Sequence, residues 1–127
     1  KDFVFTAEAL VNIMFFINSF RNICAHNERA YNHVHRKNTI NTTILHNHLN
    51  LKFKYSVFDL ILVLKIFMDP LKYNFAFKNL IESPLAFLNV NLGEERFIKI
   101  MKKMKFPIKW EDILDMKLDS YKQFYNR

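Results

Sequence analysis

The residues best suited to chemistry lie together in one short segment, RNICAHNERAYN (21–32), at the end of a long apolar stretch. Arg21, Asn22 and His26 are spaced so that a helix would bring them close together. Asn22 and His26 are four positions apart, so their side chains emerge on one face with Cβ atoms about 6 Å apart. Arg21 precedes His26 by five positions, an offset of about 140° that its long side chain can bridge at a helix end.

These residue types suit phosphodiester chemistry. A histidine that titrates near neutral pH can accept or donate a proton. A guanidinium remains charged, and it can hold a phosphate group by two hydrogen bonds while negative charge develops there. A structural role is the alternative: His26 and Asn27 would cap carbonyls at a helix terminus, and Arg21 would pair with an acid.

The same segment resembles the Arg-Asn-x-x-x-His signature of the HEPN superfamily. Its order of residues, Arg-Asn followed by Cys-Ala-His-Asn and then by Arg and Asn, is similar to that of the Abi-like abortive infection family of the AbiD and AbiF type. A second stretch, MKFPIKWEDI (104–113), is similar to the Gly-Phe-Pro-x-x-Trp ending of that family, with Lys105 in place of the glycine. The resemblance covers most of the chain. We expect residues 1–127 to form a single domain. Because the sequence also lacks an initiator methionine, we expect this domain to be the C-terminal portion of a longer chain.

The resemblance implies an all-α, HEPN-like helical bundle and a homodimer in which two Arg-x4-His motifs meet in one cleft at the interface. It also implies a metal-independent endoribonuclease that needs no cofactor and acts in anti-phage defence. His26 would act as general base or acid at the ribose 2′-hydroxyl, Arg21 would stabilise the phosphorane, and Asn22 would orient His26 or the phosphate. Cleavage would leave a 2′,3′-cyclic phosphate and a 5′-hydroxyl.

Further residues are candidates for contacts with RNA. Arg29 and Tyr31 could act by charge and by stacking, although Tyr31 could instead pack the motif loop against the bundle. Lys102 and Lys103 share a helix face with Lys99, which is either an RNA track or an ordinary solvated face. The predicted RNA contacts are Asn27, Arg29, Tyr31, Lys102 and Lys103.

Two functions other than catalysis stay open at the level of the sequence. The first is a non-catalytic module that binds RNA or senses a phage component. The second is an interaction domain whose apolar first helix docks a partner. Salt-sensitive RNA binding without product would indicate the first of these.

Four histidines raise the question of a zinc site. The pairs His33 with His35 and His46 with His48 would each place two imidazoles on one side of an extended segment. Their Asn and Thr neighbours favour a solvated loop, and structural zinc usually recruits cysteine, so no metal is predicted. A further alternative is that these histidines line the cleft and bind phosphates when protonated.

Composition indicates one folded domain with an anionic partner. Half of the 127 residues are apolar, which suffices for one hydrophobic core, and the formal net charge of +7 favours an anionic partner such as nucleic acid or a membrane surface. The apolar runs at 9–20 and 57–68 are shorter than the ~20 residues that span a bilayer, so no membrane segment is predicted. The single cysteine, Cys24, cannot form an internal disulfide, and we expect it to be a buried apolar group in a cytoplasmic protein.

One glycine and three prolines are too few turn-forming residues for a many-stranded sheet, so helices are predicted throughout. The first runs from about Thr6 to His26, and because it is apolar nearly all round, neighbours or a second copy must cover most of its sides. A long irregular connection follows over 27–54, with a short extended segment at 49–55. The predicted inward face of the first helix is Leu10, Ile13, Met14, Ile17, Phe20 and Cys24, extended by Val11, Phe15 and Phe16.

Start and stop signals mark the later helices. Ser56 and Asp59 have capping-box spacing for a helix that runs through Met68. The pairs 69–70 and 83–84 resemble N-cap and N1 positions, so Pro70 and Pro84 are each predicted to begin a helix. Gly93 separates the helix predicted from Pro84 from a further helix, which Pro107 ends and which carries a favourable Glu95–Lys99 pair. A short helix is predicted from Trp110. The predicted inward residues are Phe97, Ile100, Met101, Met104, Ile113, Leu114, Met116 and Leu118.

Overall fold

The computed structural model describes residues 7–26, 29–34, 43, 46, 49–68 and 72–116. Every regular element within these ranges is helical and none of these residues lies in a strand, which agrees with the all-α prediction. The helices are α1 (Ala7–Ala25), α2 (Val57–Phe67), a π-helical turn (Tyr73–Phe77) that continues into α3 (Lys78–Leu92), α4 (Glu94–Lys103) and α5 (Trp110–Asp115).

Helix α2 is the centre of the packing. Its side chains enter two clusters of buried residues, one shared with α1 and one shared with α5, while α3 and α4 close a third cluster. The first cluster contains Ile13, Phe16, Phe20, Phe53, Tyr55 and Val63. The second contains Phe58, Ile61, Leu62, Ile66, Ile113 and Leu114, and the third contains Leu85, Phe97, Met101 and Met104.

The bounds predicted for the first helix are confirmed within a residue, but its predicted inward face is wrong in part. Leu10 and Met14 were expected to face inward, yet they are 41% and 59% exposed. Cys24 is also exposed rather than buried. The reason is that α1 packs through Ile13, Phe16 and Phe20, and the side of the helix around Met14 is left open to solvent.

The segment after α1 agrees with the predicted irregular connection over much of its described length. Residues 29–34 and 49–55 have no helix or strand, although the backbone at His46 is helical. Over 52–54 burial alternates as an extended chain requires, with Phe53 buried between the exposed Lys52 and Lys54, and Tyr55, which follows with φ 58°, is also buried. Phe53 packs edge-on against Phe16 of α1, with ring centroids 5.2 Å apart.

The predicted capping box opens α2. The backbone N–H of Ser56 donates to Oδ2 of Asp59 at 3.0 Å, and the Ser56 hydroxyl donates to the same oxygen at 2.9 Å. This satisfies a donor that a helix N-terminus otherwise leaves without a partner. The helix ends at Phe67, with Met68 as its C-cap, close to the predicted end.

The proline prediction is wrong at Pro84, which lies inside α3 instead of beginning a helix. The chain is already helical from Tyr73 onward, so position 84 falls in a helix interior where proline removes one hydrogen bond. Leu80, whose carbonyl loses that donor, is 72% exposed, so water can hydrate the carbonyl. The other predicted start, Asp69–Pro70, lies outside the described residues.

The end of α4 has the hydrogen bonds of a Schellman motif. The N–H of Phe106 donates to the carbonyl of Met101 and the N–H of Lys105 to that of Lys102, both at 3.0 Å. Lys105 therefore occupies the left-handed position with φ 63°, where glycine is the usual residue. Gly93, as predicted, separates α3 from α4, and its φ of 83° explains a glycine there.

The amphipathic prediction for α4 and α5 is confirmed. Phe97, Met101 and Met104 are buried, Ile100 is half-buried, and Lys99 lies 3.8 Å from Glu95. Ile113 and Leu114 are buried in α5, Met116 is half-buried, and Leu118 lies outside the described residues.

A buried lysine holds α5 in place. The ammonium group of Lys65 in α2 donates to the carbonyls of Ile113, Leu114 and Met116 at 3.1, 2.8 and 2.6 Å. These carbonyls belong to a helix end, where a cation is favourable and acceptors lack intrahelical donors. The Tyr73 hydroxyl also donates to the Leu114 carbonyl at 3.0 Å, and the ammonium group lies 4.5 Å from the Tyr73 ring centroid.

Lys65 predicts a pH dependence of stability. Burial lowers the pKa of Lys65 from 10.5 to about 8, with Lys78 acting in the same direction and Asp115 opposing it. The folded chain therefore binds fewer protons than the unfolded chain between these values, so the free energy of unfolding rises with pH there. We expect a gain of about 1–2 kcal/mol between pH 8 and 9.5. Urea unfolding of wild type and Lys65→Met, which lacks the titrating group, measures it.

The informative quantity is the difference between the two proteins at each pH, because all other titrations are shared. Measurements should stay below pH 10. Burial raises the pKa of Tyr73, so above pH 10 the unfolded chain loses the tyrosine proton before the folded chain does, and this lowers the free energy of unfolding as pH rises. Parallel stability curves for wild type and Lys65→Met would contradict the expectation.

Candidate functional site

The predicted catalytic residues lie at the solvent-exposed end of α1. Arg21, Asn22 and His26 are all exposed, and Nη1 of Arg21 donates to Oδ1 of Asn22 at 3.1 Å. The backbone N–H of His26 donates to the Asn22 carbonyl at 3.0 Å, so the helical spacing of Asn22 and His26 is retained through the last turn. The arginine and the asparagine are in contact, and the histidine follows one turn later.

The structural alternative for Arg21 has no support within the described ranges. There, none of the ion pairs between described side chains includes Arg21, whose contact is the neighbouring amide. A guanidinium that is exposed and bound to a neutral group keeps its charge available for a ligand.

Arg21 and Asn22 share their side of α1 with exposed apolar residues. Counting about 100° per residue, the side chains of this surface fall within an arc of about 140°, while Ile13, Phe16 and Phe20 lie on the opposite side. We call this surface the open face of α1. Its members are Leu10, Val11, Met14, Phe15, Asn18, Arg21 and Asn22, with Ala7 and Ala25 on the same arc.

Aromatic packing fixes the helix end that carries the motif. Phe20, directly before Arg21, is 3% exposed and meets Phe16 edge-on with ring centroids 5.5 Å apart. The ring of His33 lies 4.8 Å from that of Phe20 in the same edge-on arrangement. The last turns of α1 and the 29–34 segment are thereby tied together on the buried side of the motif.

A buried polar network that was not predicted from the sequence lies beneath this packing. Nε2 of His46 donates to Oδ1 of Asp59 at 2.7 Å, and Nδ1 lies 2.6 Å from Oγ1 of Thr43. The second oxygen of Asp59 accepts hydrogen bonds from Ser56 and from the backbone N–H of Lys54 at 3.0 Å. The capping-box spacing pointed to Asp59, but no sequence signal pointed to His46 as its partner.

This network removes His46 from the two ligand-binding interpretations of the histidines. His46 is fully buried and both of its ring nitrogens are engaged, so it is neither a zinc ligand nor a phosphate ligand in a cleft. His35 and His48 lie outside the described residues. Within the part of the chain that is described, no three His, Cys, Asp or Glu side chains are grouped as metal ligands.

The remaining predicted RNA contacts are exposed where they are described. Arg29 is exposed and Tyr31 is 37% exposed, at the border between packing and solvent. Lys102 and Lys103 are exposed in the last turn of α4. Asn27 lies outside the described residues.

Two surface cavities differ in charge. One, of about 250 Å³, has Lys52, Lys54 and Lys105 in its lining. The other, of about 180 Å³, lies between α3, α4 and α5 and includes Glu82 and Glu111. A phosphate group is attracted to the first and repelled by the second.

No protein-family model, no curated protein and no solved structure matches this chain. None of the helices formed by the described residues is both long enough and apolar enough to cross a bilayer.

The Asp59 network generates a stability prediction. Asp59→Asn keeps the shape of the side chain but weakens acceptance from His46 and Ser56, so we expect a loss of about 2–4 kcal/mol in the free energy of unfolding. Urea denaturation followed by circular dichroism measures it. Asp112→Asn, at an exposed position in the first turn of α5, is the matched control and should stay within about 0.5 kcal/mol of wild type. Equal losses in both variants would refute a special role for the Asp59 network.

Proposed function

We propose that the chain is a HEPN-type, metal-independent endoribonuclease of the abortive infection kind. The observation that carries the proposal is that Arg21, Asn22 and His26 are exposed together at the end of α1, with the guanidinium bound to the neighbouring amide. Histidine and arginine suit phosphodiester cleavage without a metal, because the first can move protons and the second can stabilise developing charge.

The proposed chemistry is a transesterification within the RNA strand. A neutral His26 accepts the proton of the ribose 2′-hydroxyl, whose oxygen attacks the adjacent phosphorus. Arg21 stabilises the extra negative charge of the phosphorane by charge-assisted hydrogen bonds. The bond to the 5′ oxygen then breaks, and a protonated His26 from a second copy donates a proton to that oxygen. The products are a 2′,3′-cyclic phosphate and a 5′-hydroxyl.

The open face of α1 supports a homodimer as the active species. Met14 and Phe15 are 59% and 56% exposed on that surface, and contiguous exposed apolar side chains of this kind mark interaction sites. A two-fold contact uses the same patch on both subunits. Because Arg21 and Asn22 belong to this surface, such a contact would bring two motifs to one interface.

A non-catalytic RNA-binding module is the second candidate. It draws on the formal charge of +7 and on the exposed Lys102 and Lys103, which take part in none of the ion pairs between described residues. This candidate predicts salt-dependent RNA binding without product. The cleavage assay below separates the two functions.

Cleavage of RNA should survive EDTA and should fall steeply in both Arg21→Ala and His26→Ala. We expect losses of about 100-fold or more, because each substitution removes a group that acts in the transition state. Gel analysis of labelled RNA, with end-group analysis for the cyclic phosphate, measures the reaction. Arg96→Ala, which removes an exposed arginine of α4, is the charge-matched control and should cleave like wild type. Cleavage that persists in the Arg21 and His26 variants would end the assignment.

The dimer should depend on the open face of α1. Met14→Glu places a charge in the proposed contact, so we expect at least a tenfold weaker dimer and a parallel loss of cleavage at low protein concentration. Val90→Glu is the control, since Val90 is an 84% exposed apolar residue of α3 that lies outside this face. Sedimentation velocity over a range of concentrations measures both. A wild-type chain that remains monomeric, or equal weakening by the two variants, would contradict the proposal.

A further inference from the structure

We propose that the cleft lined by Lys52, Lys54 and Lys105 is a phosphate-binding site. Its volume of about 250 Å³ is below the range of roughly 300–1,000 Å³ typical of drug-sized ligands, and it suits one phosphate with part of its ester group. None of these residues belongs to the catalytic set assigned to the end of α1. The cleft is therefore a second place at which the chain could hold a nucleotide unit.

The chain brings these lysines to the cleft from two separate segments. Lys52 and Lys54 lie two positions apart in an extended stretch and therefore project to the same side. Phe53 and Tyr55 project to the other side and are buried against α1. Lys105 comes from the turn that ends α4.

The positive charge of the cleft is not neutralised by its surroundings. Within the described ranges, none of the ion pairs includes Lys52, Lys54 or Lys105. Asp59 also lines the cleft, but its oxygens already accept hydrogen bonds from His46, Ser56 and the Lys54 N–H. Its negative charge is thus stabilised within the fold, while the three ammonium groups remain available to an anion.

Backbone conformation supplies an independent argument. Lys105 has φ 63° and occupies the Schellman position at which glycine is the favoured residue. A side chain in the left-handed region is strained, and retained strain is concentrated at ligand sites. The unfavourable conformation at Lys105 is explained if its ammonium group is required there.

The phosphate has two possible sources with one chemistry. In an RNA strand it is a backbone phosphodiester, and in that form the inference rests on the proposed function. In a free nucleotide it is a phosphate monoester. Both present anionic oxygens to lysine ammonium groups, which bind phosphate as point charges.

The strain at Lys105 allows a test in which loss of binding cannot be confused with loss of folding. Lys105→Gly removes the ammonium group and relieves the left-handed backbone, so its melting temperature should equal or exceed that of wild type. NMR titration of the whole chain with inorganic phosphate should nevertheless give about tenfold weaker binding. Lys52→Ala should weaken binding to a similar degree. Lys72→Ala, which removes one exposed charge outside the cleft, is the control and should change affinity less than twofold.

Two further titrations identify the source of the phosphate. A 2′-O-methyl oligoribonucleotide cannot be cleaved by attack of the 2′ oxygen, and adenosine monophosphate offers a single monoester. Weakening of the oligonucleotide alone by Lys105→Gly would assign the site to an RNA strand, and weakening of the nucleotide would assign it to a free ligand.

The inference is overturned if Lys105→Gly and Lys72→Ala bind inorganic phosphate equally well. It fails separately from the proposed function: wild-type cleavage with no phosphate binding at the cleft rejects only the second site. Phosphate binding that depends on Lys105, in a chain that cleaves no RNA, rejects only the nuclease.

Discussion

The hydrogen bond between His46 and Asp59 fixes the connection before α2 to the first turn of that helix. Asp59 closes the first turn of α2 and accepts the N–H groups of Lys54 and Ser56, so it fixes the chain on both sides of the helix start. His46 then places its ring 4.7 Å from that of Phe53, which packs on Phe16 of α1. The position of the helix that carries Arg21 is thus coupled to one buried hydrogen bond. Such a buried polar contact is favourable only when its remaining donors and acceptors are also satisfied, as they are here.

The two charged residues of α2 have complementary structural roles. In sequence, Asp59 and Lys65 interrupt an apolar run. In the folded chain both side chains are buried. Asp59 binds the connection before α2, and Lys65 binds the carbonyls at the end of α5. The helix therefore supplies apolar side chains to two of the three buried clusters and also the polar contacts that fix the segments around it. Apolar contacts alone do not fix the position of these segments along the helix, whereas hydrogen bonds to single atoms do.

Local signals in the sequence were sufficient for most helices and for the capping box, because these depend on residues within one or two turns. The same signals failed at Pro84. A Ser-Pro pair has the same local sequence at a helix start and inside an exposed helix that began earlier in the chain. The errors at Met14 and Cys24 have another origin: an apolar periodicity says that a face is apolar, but not whether a neighbour covers it. For the candidate site, the spacing of Asn22 and His26 was anticipated, whereas the lysine cleft depends on a turn and an extended segment about fifty positions apart, which no local pattern joins.

The π-helical turn at Tyr73–Phe77 restricts how the chain can change in length. A π turn contains one residue more than the corresponding α turn. Deleting a single residue there would shorten it to an α turn and displace Tyr73, whose hydroxyl contacts the Leu114 carbonyl. A change in the number of residues in this turn would break the contact with α5. That contact therefore fixes the length of the turn.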